Sequence, residues 1–188
     1  RVGGRQRSRV NGMRVDAFST PEAAPGLLDE LHALCRRAFD GDFDPEDWEH
    51  ALGGRHFVAY RDDRPVAHAS VVGRILEVDG HPLRTGYVEA VATEPELAGQ
   101  GFGSLAMAEA TWWIPGHFEF GALGTGAFAF YERLGWERWK GTTFVRDGGT
   151  VRRTEDDDDA MMVFRFGPST AVDLEGTLLC EATPGDDW

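Results

Sequence analysis

The stretch Gly86–Thr111, GYVEAVATEPELAGQGFGSLAMAEAT, decides how this chain folds. Its pattern predicts a buried strand, a short acidic turn, a glycine-rich corner and a helix that begins near Phe102. The small residues of the corner, Ala98–Ser104, allow the backbone to bend sharply and to stay open. Because the first N–H groups of a helix have no partner inside it, they form with the helix dipole an anion site suited to a pyrophosphate. A plain tight turn is the alternative interpretation.

Length and composition indicate a globular protein. The chain has 188 residues, of which 41% are apolar and 11% aromatic, and this length fits one domain with a sizeable core. The apolar runs are too short to span a bilayer, and no apolar secretory segment opens the sequence. Two cysteines, Cys35 and Cys180, make no disulfide framework, so we expect a reducing, cytoplasmic location.

The first twelve residues, RVGGRQRSRVNG, differ in composition from the rest. They hold four arginines and no acid, and we expect residues 1–12 to be a basic leader that is non-native or disordered. Residues 13–188 are then expected to form a single domain. Without the four arginines the formal charge changes from −13 to −17. Such acidity disfavours nucleic acid and anionic membranes and favours cationic partners, although solubility alone would also explain it.

Local signals predict the remaining elements. Apolar spacing predicts an amphipathic helix from Leu27 to Phe39, and Asp44-Pro45 begins a short helix through Ala51. Asp79-Gly80 is a hairpin signal, and residues 147–159 are interpreted as a polar connection. A further helix is expected at Ala127–Leu134, and strands at Phe57–Tyr60, Pro65–Leu76, Leu83–Thr93, Phe118–Leu123, Trp136–Phe144 and Met161–Phe166. Together these elements predict an α+β fold with a mixed sheet.

Two segments resemble the GNAT superfamily of acetyl-CoA-dependent N-acetyltransferases. They are the corner AGQGFG (Ala98–Gly103) with its helix, and AFAFYERLGW (Ala127–Trp136). In that superfamily the corner reads Arg/Gln-x-x-Gly-x-Gly/Ala, from which Ala98 departs while Gly101 and Gly103 fit. The resemblance implies a central, mostly antiparallel sheet with a parallel splayed pair, flanked by helices. It also implies acetyl-CoA or coenzyme A as co-substrate, without a metal, bound by Val91, Ala92, Thr93, Ala98, Gly99, Gln100, Gly101, Phe102, Gly103 and Ser104.

Three more segments are similar to aminoglycoside 2'-N-acetyltransferases: Ala38–Gly54 (AFDGDFDPEDWEHALGG), Gly86–Val91 (GYVEAV) and the final GDDW. Ala90 stands where that family has glycine, at a bulge that offers backbone to both substrates. The resemblance implies acetylation of the 2'-amino group of cationic aminoglycosides, and it leaves a homodimer open. The residues implied in substrate binding are Asp42, Glu89, Ala90, Gly124, Asp158, Asp186 and Trp188, the last through its indole and free carboxylate. For the run Asp156–Asp159 a solvated loop is the alternative.

Amine acetylation needs a base, because a substrate amine arrives mostly as ammonium. Glu89 is the candidate base, acting through a water; a solvent-facing carboxylate or a partner of Arg84 is the alternative. Tyr131 is the acid that the resemblance implies for the departing thiolate, with an ordinary core tyrosine as its alternative. A backbone N–H near Val91 would polarise the thioester carbonyl. The histidines His68, His81 and His117 lack metal-like spacing, so zinc is not expected.

Two other functions are compatible with the same residues. One is acetylation of a different cationic amine, such as kasugamycin or a polyamine. The other is a non-catalytic module that binds acyl-CoA or a drug.

Overall fold

The computed structural model describes residues 6–10, 13–185 and 187–188. The helices in these ranges are α1 (Leu27–Ala38), α2 (Pro45–Ala51), α3 (Phe102–Trp113) and α4 (Phe128–Glu132). The strands are β1 (Gln6–Val10), β2 (Met13–Ser19), β3 (Arg55–Arg61), β4 (Arg64–Val78), β5 (His81–Thr93), β6 (Phe120–Gly124), β7 (Glu137–Arg138), β8 (Thr142–Asp147), β9 (Thr150–Arg153), β10 (Met161–Phe164) and β11 (Thr177–Glu181). None of the helices formed by these described residues has the length and hydrophobicity that crossing a membrane requires.

Helices α1 and α2 form for reasons that are visible in their sequences. In α1 the side chains of Leu31, Leu34 and Cys35 recur at helical spacing and are buried, while acids occupy its first turn and arginines its last. Helix α2 begins at a capping box, in which the N–H of Asp44 donates to Oδ2 of Asp47 (2.7 Å). Both predicted helices are confirmed.

The chain divides into two compact units, and β4 and β5 each contribute to both. The first unit takes its described residues from Arg1–Val72 and Val88–Trp112, and the second from Gly73–Tyr87 and Trp113–Trp188. The predicted domain boundaries, 1–12 and 13–188, stay a prediction.

In the first unit, β1, β2, β3 and the start of β4 pair in sequence order and antiparallel. Two cores form on this sheet. Val58 of β3 is packed with α1, α2 and Ala92, whereas its neighbour Ala59 is packed with Phe102 and Leu105 of α3. Because successive strand residues point to opposite faces, α1 and α2 cover one face of the sheet and α3 covers the other.

In the second unit, the start of β5 pairs parallel with β6, with Thr85–Tyr87 opposite Phe120–Ala122. Strand β6 then pairs antiparallel with β10, and β10 with β7. The end of β4 pairs antiparallel with β11, which runs parallel to β8, and β8 forms a hairpin with β9. A Cβ on Gly86 would lie 2.8 Å from the Phe118 ring, so glycine is what allows that ring to approach β5. The predicted α+β fold, with a mostly antiparallel sheet, a parallel pair and flanking helices, is confirmed.

Within the predicted leader, residues Gln6–Val10 pair as β1 with β2. Two local predictions are wrong. The single strand predicted at Trp136–Phe144 is two strands, β7 and β8, and the backbone between them bonds to Leu174 instead (Lys140 N to Leu174 O, 2.8 Å). The polar connection predicted at residues 147–159 contains β9. Strand β11 has no counterpart among the predicted strands.

Candidate active site

Strand β5 carries a sharp local irregularity at Ala90. This alanine has φ +51°, the left-handed region, which costs a non-glycine residue roughly 1–2 kcal/mol. Its neighbours Glu89 and Val91 are half-buried, between the buried Val88 and Ala92. The carbonyl of Ala90 accepts a hydrogen bond from the ring of His68 (Nδ1 to O, 2.8 Å). The departure from glycine noted in the sequence therefore falls on a backbone that glycine would adopt at lower cost.

The end of β5 is fixed by a buried carboxylate that the sequence reasoning missed. Glu94 is 1% exposed and its pKa is lowered, first by its hydrogen bonds with Arg37. Arg37 of α1 donates from Nη2 to Oε1 (2.6 Å) and from Nε to Oε2 (3.2 Å), and Nη2 of Arg64 lies 2.8 Å from Oε1. The clamp ties α1 and β4 to Glu94, which lies four residues before the corner. In the sequence, the sole hint of this buried carboxylate is a glutamate that follows a buried strand and precedes a proline.

The glycine-rich corner is exposed and anchored at both ends. Residues 98–101 of the corner are exposed, whereas Leu97 before them and Phe102 after them are buried in the core. Gly99 (φ +77°) and Gly101 (φ +90°) take the left-handed conformation that the turn requires. The corner predicted from the sequence thus has an open backbone between two fixed points.

The corner leads directly into the N-terminus of α3. The first helical hydrogen bond runs from the N–H of Leu105 to the carbonyl of Gly101 (3.0 Å). The N–H groups of Phe102, Gly103 and Ser104 therefore precede the helix's own hydrogen bonding. With the positive end of the α3 dipole, they suit a phosphate or pyrophosphate.

Asp42 also lies in the first unit, in the loop between α1 and α2. Its side chain is exposed, and its N–H donates to the carbonyl of Phe39 (2.9 Å). Phe43 beside it is buried and holds the loop to the core. An exposed carboxylate on an anchored loop is suited to a cationic ligand.

Tyr131 lies in the second unit, on α4. It is 6% exposed, and burial raises the pKa of its phenol to about 12, partly opposed by a hydrogen bond with the Thr125 side chain. Its ring makes edge contacts with Phe130 and Trp136 (centroids 4.8 and 6.4 Å). A phenol with this pKa stays protonated at neutral pH and can act as a proton donor.

Two hydrogen bonds hold Trp188 in place, one from its own indole and one to the carbonyl of the preceding residue. Nε1 donates to Oγ1 of Thr154 (3.2 Å), and the residue is 8% exposed. The preceding carbonyl, that of Asp187, accepts from Nη1 of Arg74 (2.8 Å). A Cβ built on Gly124 would lie 3.8 Å from the carbonyl carbon of Trp188, so these two predicted substrate residues are neighbours. Asp186, also predicted, lies outside the described residues.

Asp158 is engaged inside the chain. Oδ1 accepts from the N–H and the hydroxyl of Thr143 (2.7 and 2.8 Å), and Arg153 binds both carboxylate oxygens. Hydrogen bonds from Arg153 lead the effects that lower the pKa of Asp158 to about 2. A role in binding an ammonium group stays a prediction, and such a group would have to share these oxygens.

Arg84, considered as a partner for Glu89, lies within 3.3 Å of Glu119 (Nε to Oε2). Across residues 6–10, 13–185 and 187–188, no three His, Cys, Asp or Glu side chains are grouped so as to hold a metal ion. The first unit therefore carries Glu89, Ala90, Asp42 and the corner, and the second carries Tyr131, Gly124, Asp158 and Trp188.

Known proteins resemble this chain over most of its length. The sequence model of the Acetyltransferase (GNAT) family matches residues 27–136. An aminoglycoside 2'-N-acetyltransferase of Mycolicibacterium fortuitum is 38% identical over 155 residues, which cover 80% of each chain.

Two solved structures share the fold. One is the GNAT family N-acetyltransferase YhbS of Escherichia coli, which was solved in complex with CoA. Its TM-score is 0.63 at 19% identity, and the match covers 95% of this chain and 91% of the E. coli chain. A conserved protein of Enterococcus faecalis, described as a probable N-acyltransferase, has a TM-score of 0.56 at 20% identity over 68% of this chain. This chain spans only 33% of that longer protein. The family match and the 38% identical relative establish that this chain belongs to the GNAT family of acetyltransferases.

Proposed function

We propose that this protein transfers an acetyl group from acetyl-CoA to the 2'-amino group of aminoglycosides. The observation that carries the proposal is the exposed corner at residues 98–101, which leads into the N–H groups of Phe102, Gly103 and Ser104. These backbone donors suit the pyrophosphate of coenzyme A, because they need no side chain at Ala98. The E. coli relative solved with CoA supports the same cofactor.

In the proposed reaction the amine nitrogen attacks the thioester carbonyl carbon, forming the C–N bond while the C–S bond breaks. Glu89, through a water, takes the proton that the amine loses. Tyr131 gives a proton to the departing thiolate, so the products are the N-acetylated drug and free CoA thiol. Burial raises the pKa of Tyr131 to about 12, so its phenol still carries the proton at neutral pH, as this role requires. A backbone N–H near Val91 would stabilise the oxyanion.

The acceptor is assigned on charge and on similarity. Aminoglycosides are polycations, and the chain carries a formal charge of −13, which attracts them over a distance. Asp42 offers an exposed carboxylate on an anchored loop. The terminal backbone carbonyl of Trp188 lies beside Gly124, and its indole is held by the hydroxyl of Thr154. The relative named aminoglycoside 2'-N-acetyltransferase supports this substrate class. Asp158 and Asp186 complete the proposed set of carboxylates.

A thiol-release assay with acetyl-CoA and a panel of amines tests the proposal. We expect turnover with ribostamycin and gentamicin, which carry a 2'-amine, and none with kanamycin A, which lacks it. NMR of the product should place the acetyl group on the 2'-nitrogen. Equal turnover of kanamycin A would contradict the regiochemistry. Turnover confined to kasugamycin or spermidine would mean that the acceptor is another cationic amine. Drug binding without CoA release would indicate a non-catalytic binding module.

A further inference from the structure

Two histidines of the first unit form a hydrogen-bonded chain that ends on the backbone of Ala90. Nδ1 of His56 lies 2.9 Å from Nε2 of His68, and Nδ1 of His68 lies 2.8 Å from the Ala90 carbonyl. At the other end, Nε2 of His56 lies 2.8 Å from the hydroxyl of Thr20, which accepts from the N–H of Gly53 (2.9 Å). The chain thus joins the loop before β3 to the left-handed residue of β5.

The direction of every hydrogen bond in this chain follows from its end. A carbonyl only accepts, so Nδ1 of His68 carries a proton and, in a neutral ring, Nε2 of His68 must accept. His56 therefore donates from Nδ1, and its own Nε2 accepts from the Thr20 hydroxyl. Burial lowers the pKa of His56 to about 3 and that of His68 to about 4, so both rings are neutral at pH 7. Both histidines are thus Nδ1–H tautomers.

Both histidine side chains are fully buried and packed against a tryptophan. Both rings are 0% exposed, and Trp48 packs against both, with centroids 6.2 Å from His56 and 5.7 Å from His68. Cys35 of α1 is a titratable group beside the pair, and its Sγ lies 4.0 Å from Nδ1 of His68 and 3.9 Å from the Ala90 carbonyl. Burial raises the pKa of that thiol to about 12, so it stays uncharged.

We propose that His56 and His68 are positioning residues, which hold the Ala90 carbonyl and so fix the left-handed turn between Glu89 and Val91. Alanine resists this conformation, so a directed donor at its carbonyl compensates for the missing glycine. The turn sets how Glu89 and the N–H of Val91 are presented. The consequence for catalysis rests on the proposed function, whereas the restraint of the Ala90 backbone by the two histidines does not.

The tautomers can be read directly by NMR of the whole protein. We expect two histidines with protonated Nδ1 and unprotonated Nε2, unchanged between pH 5.5 and 8. A ring of this pair in the Nε2–H form, or one that titrates in that range, would overturn the proposed chain.

Substitutions test the restraint on Ala90. His68→Asn keeps a donor near the position of Nδ1, whereas His68→Leu keeps the volume without a donor. We expect His68→Leu to weaken CoA binding about tenfold and to lower kcat about tenfold, and His68→Asn to change each less than about threefold. In an Ala90→Gly background the effect of His68→Leu on both quantities should shrink to about twofold. If His68→Leu does not fold, His68→Asn with and without Ala90→Gly gives the same comparison on a smaller scale.

The control is Ile114→Ala, which removes buried volume just beyond the C-terminal end of α3, next to Gly86. It should lower stability and leave CoA affinity and kcat unchanged. If His68→Leu changes CoA binding and the unfolding equilibrium constant by the same factor in the wild-type background as in the Ala90→Gly background, the proposed positioning role of the two histidines is wrong. The proposed function would be unaffected by that result. A wild-type protein that acetylates no amine would overturn the proposed function instead, since tautomers, CoA binding and unfolding need no turnover.

Discussion

At the scale of single residues, Glu89 is the group on which the proposed chemistry depends most. It is half-buried beside the left-handed Ala90. We expect Glu89→Gln to lower kcat at least about a hundredfold, because a positioned base contributes on the order of 10²–10⁴. The acidic limb of the pH profile of kcat should also disappear, while KM for acetyl-CoA changes little.

The control for Glu89→Gln is Glu96→Gln, which neutralises an exposed glutamate of the same unit. Initial rates by thiol release, measured from pH 5.5 to 9, give the comparison, and circular dichroism verifies folding. A variant with the wild-type rate and pH profile would mean that the base is another group.

Tyr131 allows a second prediction at this scale. Its buried phenol has a pKa of about 12, so Tyr131→Phe removes a proton donor without adding a charge. We expect kcat to fall about tenfold to a hundredfold while the free energy of unfolding changes by about 1 kcal/mol, the value of one hydrogen bond.

Tyr60→Phe is the matched control for Tyr131→Phe, since it removes a phenol whose ring packs under the guanidinium of Arg14 (4.0 Å). Steady-state rates and urea denaturation should be measured for both variants. Equal kcat in the two would assign Tyr131 to the core only.

At the scale of elements, the clamp on Glu94 connects stability to the corner. Both Glu94 oxygens are bound by Arg37, and Arg64 adds a third contact. We expect Glu94→Gln to destabilise the protein by about 1–3 kcal/mol, because the buried carboxylate loses the charge that strengthens its hydrogen bonds with Arg37 and Arg64. Its looser corner should also raise the Kd for CoA.

The pH dependence of this effect follows from the sign of the shift. The pKa of Glu94 is lowered in the folded state, so its contribution is full above its ordinary value of 4.5 and is lost as the pH falls through the folded value. Urea denaturation at pH 7 and pH 3.5 should therefore show a smaller difference between wild type and Glu94→Gln at the lower pH. A difference that is the same at both pH values would contradict this account.

Elements with local signals could be predicted from the sequence, and those made by distant partners could not. The capping box of α2 and the Asp79-Gly80 hairpin lie within four residues of chain, so propensity and spacing identify them. Strand β11 exists because it pairs with β4 and β8, far away in sequence. Strand β7 ends early because the backbone at Lys140 bonds to Leu174. Such long-range pairings produce no periodic pattern in the local sequence from which they could be predicted.

The same distinction holds for the candidate site. The corner, Glu89 and Tyr131 were predicted because their motifs are contiguous. Glu94 is held by an arginine 57 residues away, and His68 reaches a carbonyl 22 residues away. Neither arrangement could be inferred from spacing, and only the packed structure shows that these polar groups are buried.

At the scale of the whole molecule, the two buried histidines predict how stability depends on pH. Their pKa values are lowered in the folded state, to about 3 for His56 and about 4 for His68, from 6.5. Above pH 6.5 neither the folded nor the unfolded chain protonates them, so they make no difference there. As the pH falls below 6.5 the unfolded chain takes up protons that the folded chain does not, and unfolding becomes easier.

Between pH 6 and 5, each histidine is expected to lower the free energy of unfolding by about 1.4 kcal/mol per pH unit, and the pair by twice that amount. Carboxylates with lowered pKa values, such as Glu94 and Asp158, add to the slope only below about pH 4.5, because the unfolded chain leaves them ionised above it. Urea denaturation at half-unit steps from pH 7.5 to 4.5 measures the slope, and His68→Asn should reduce it by about half in the upper part of that range. A wild-type slope that His68→Asn leaves unchanged would mean that other groups govern acid stability.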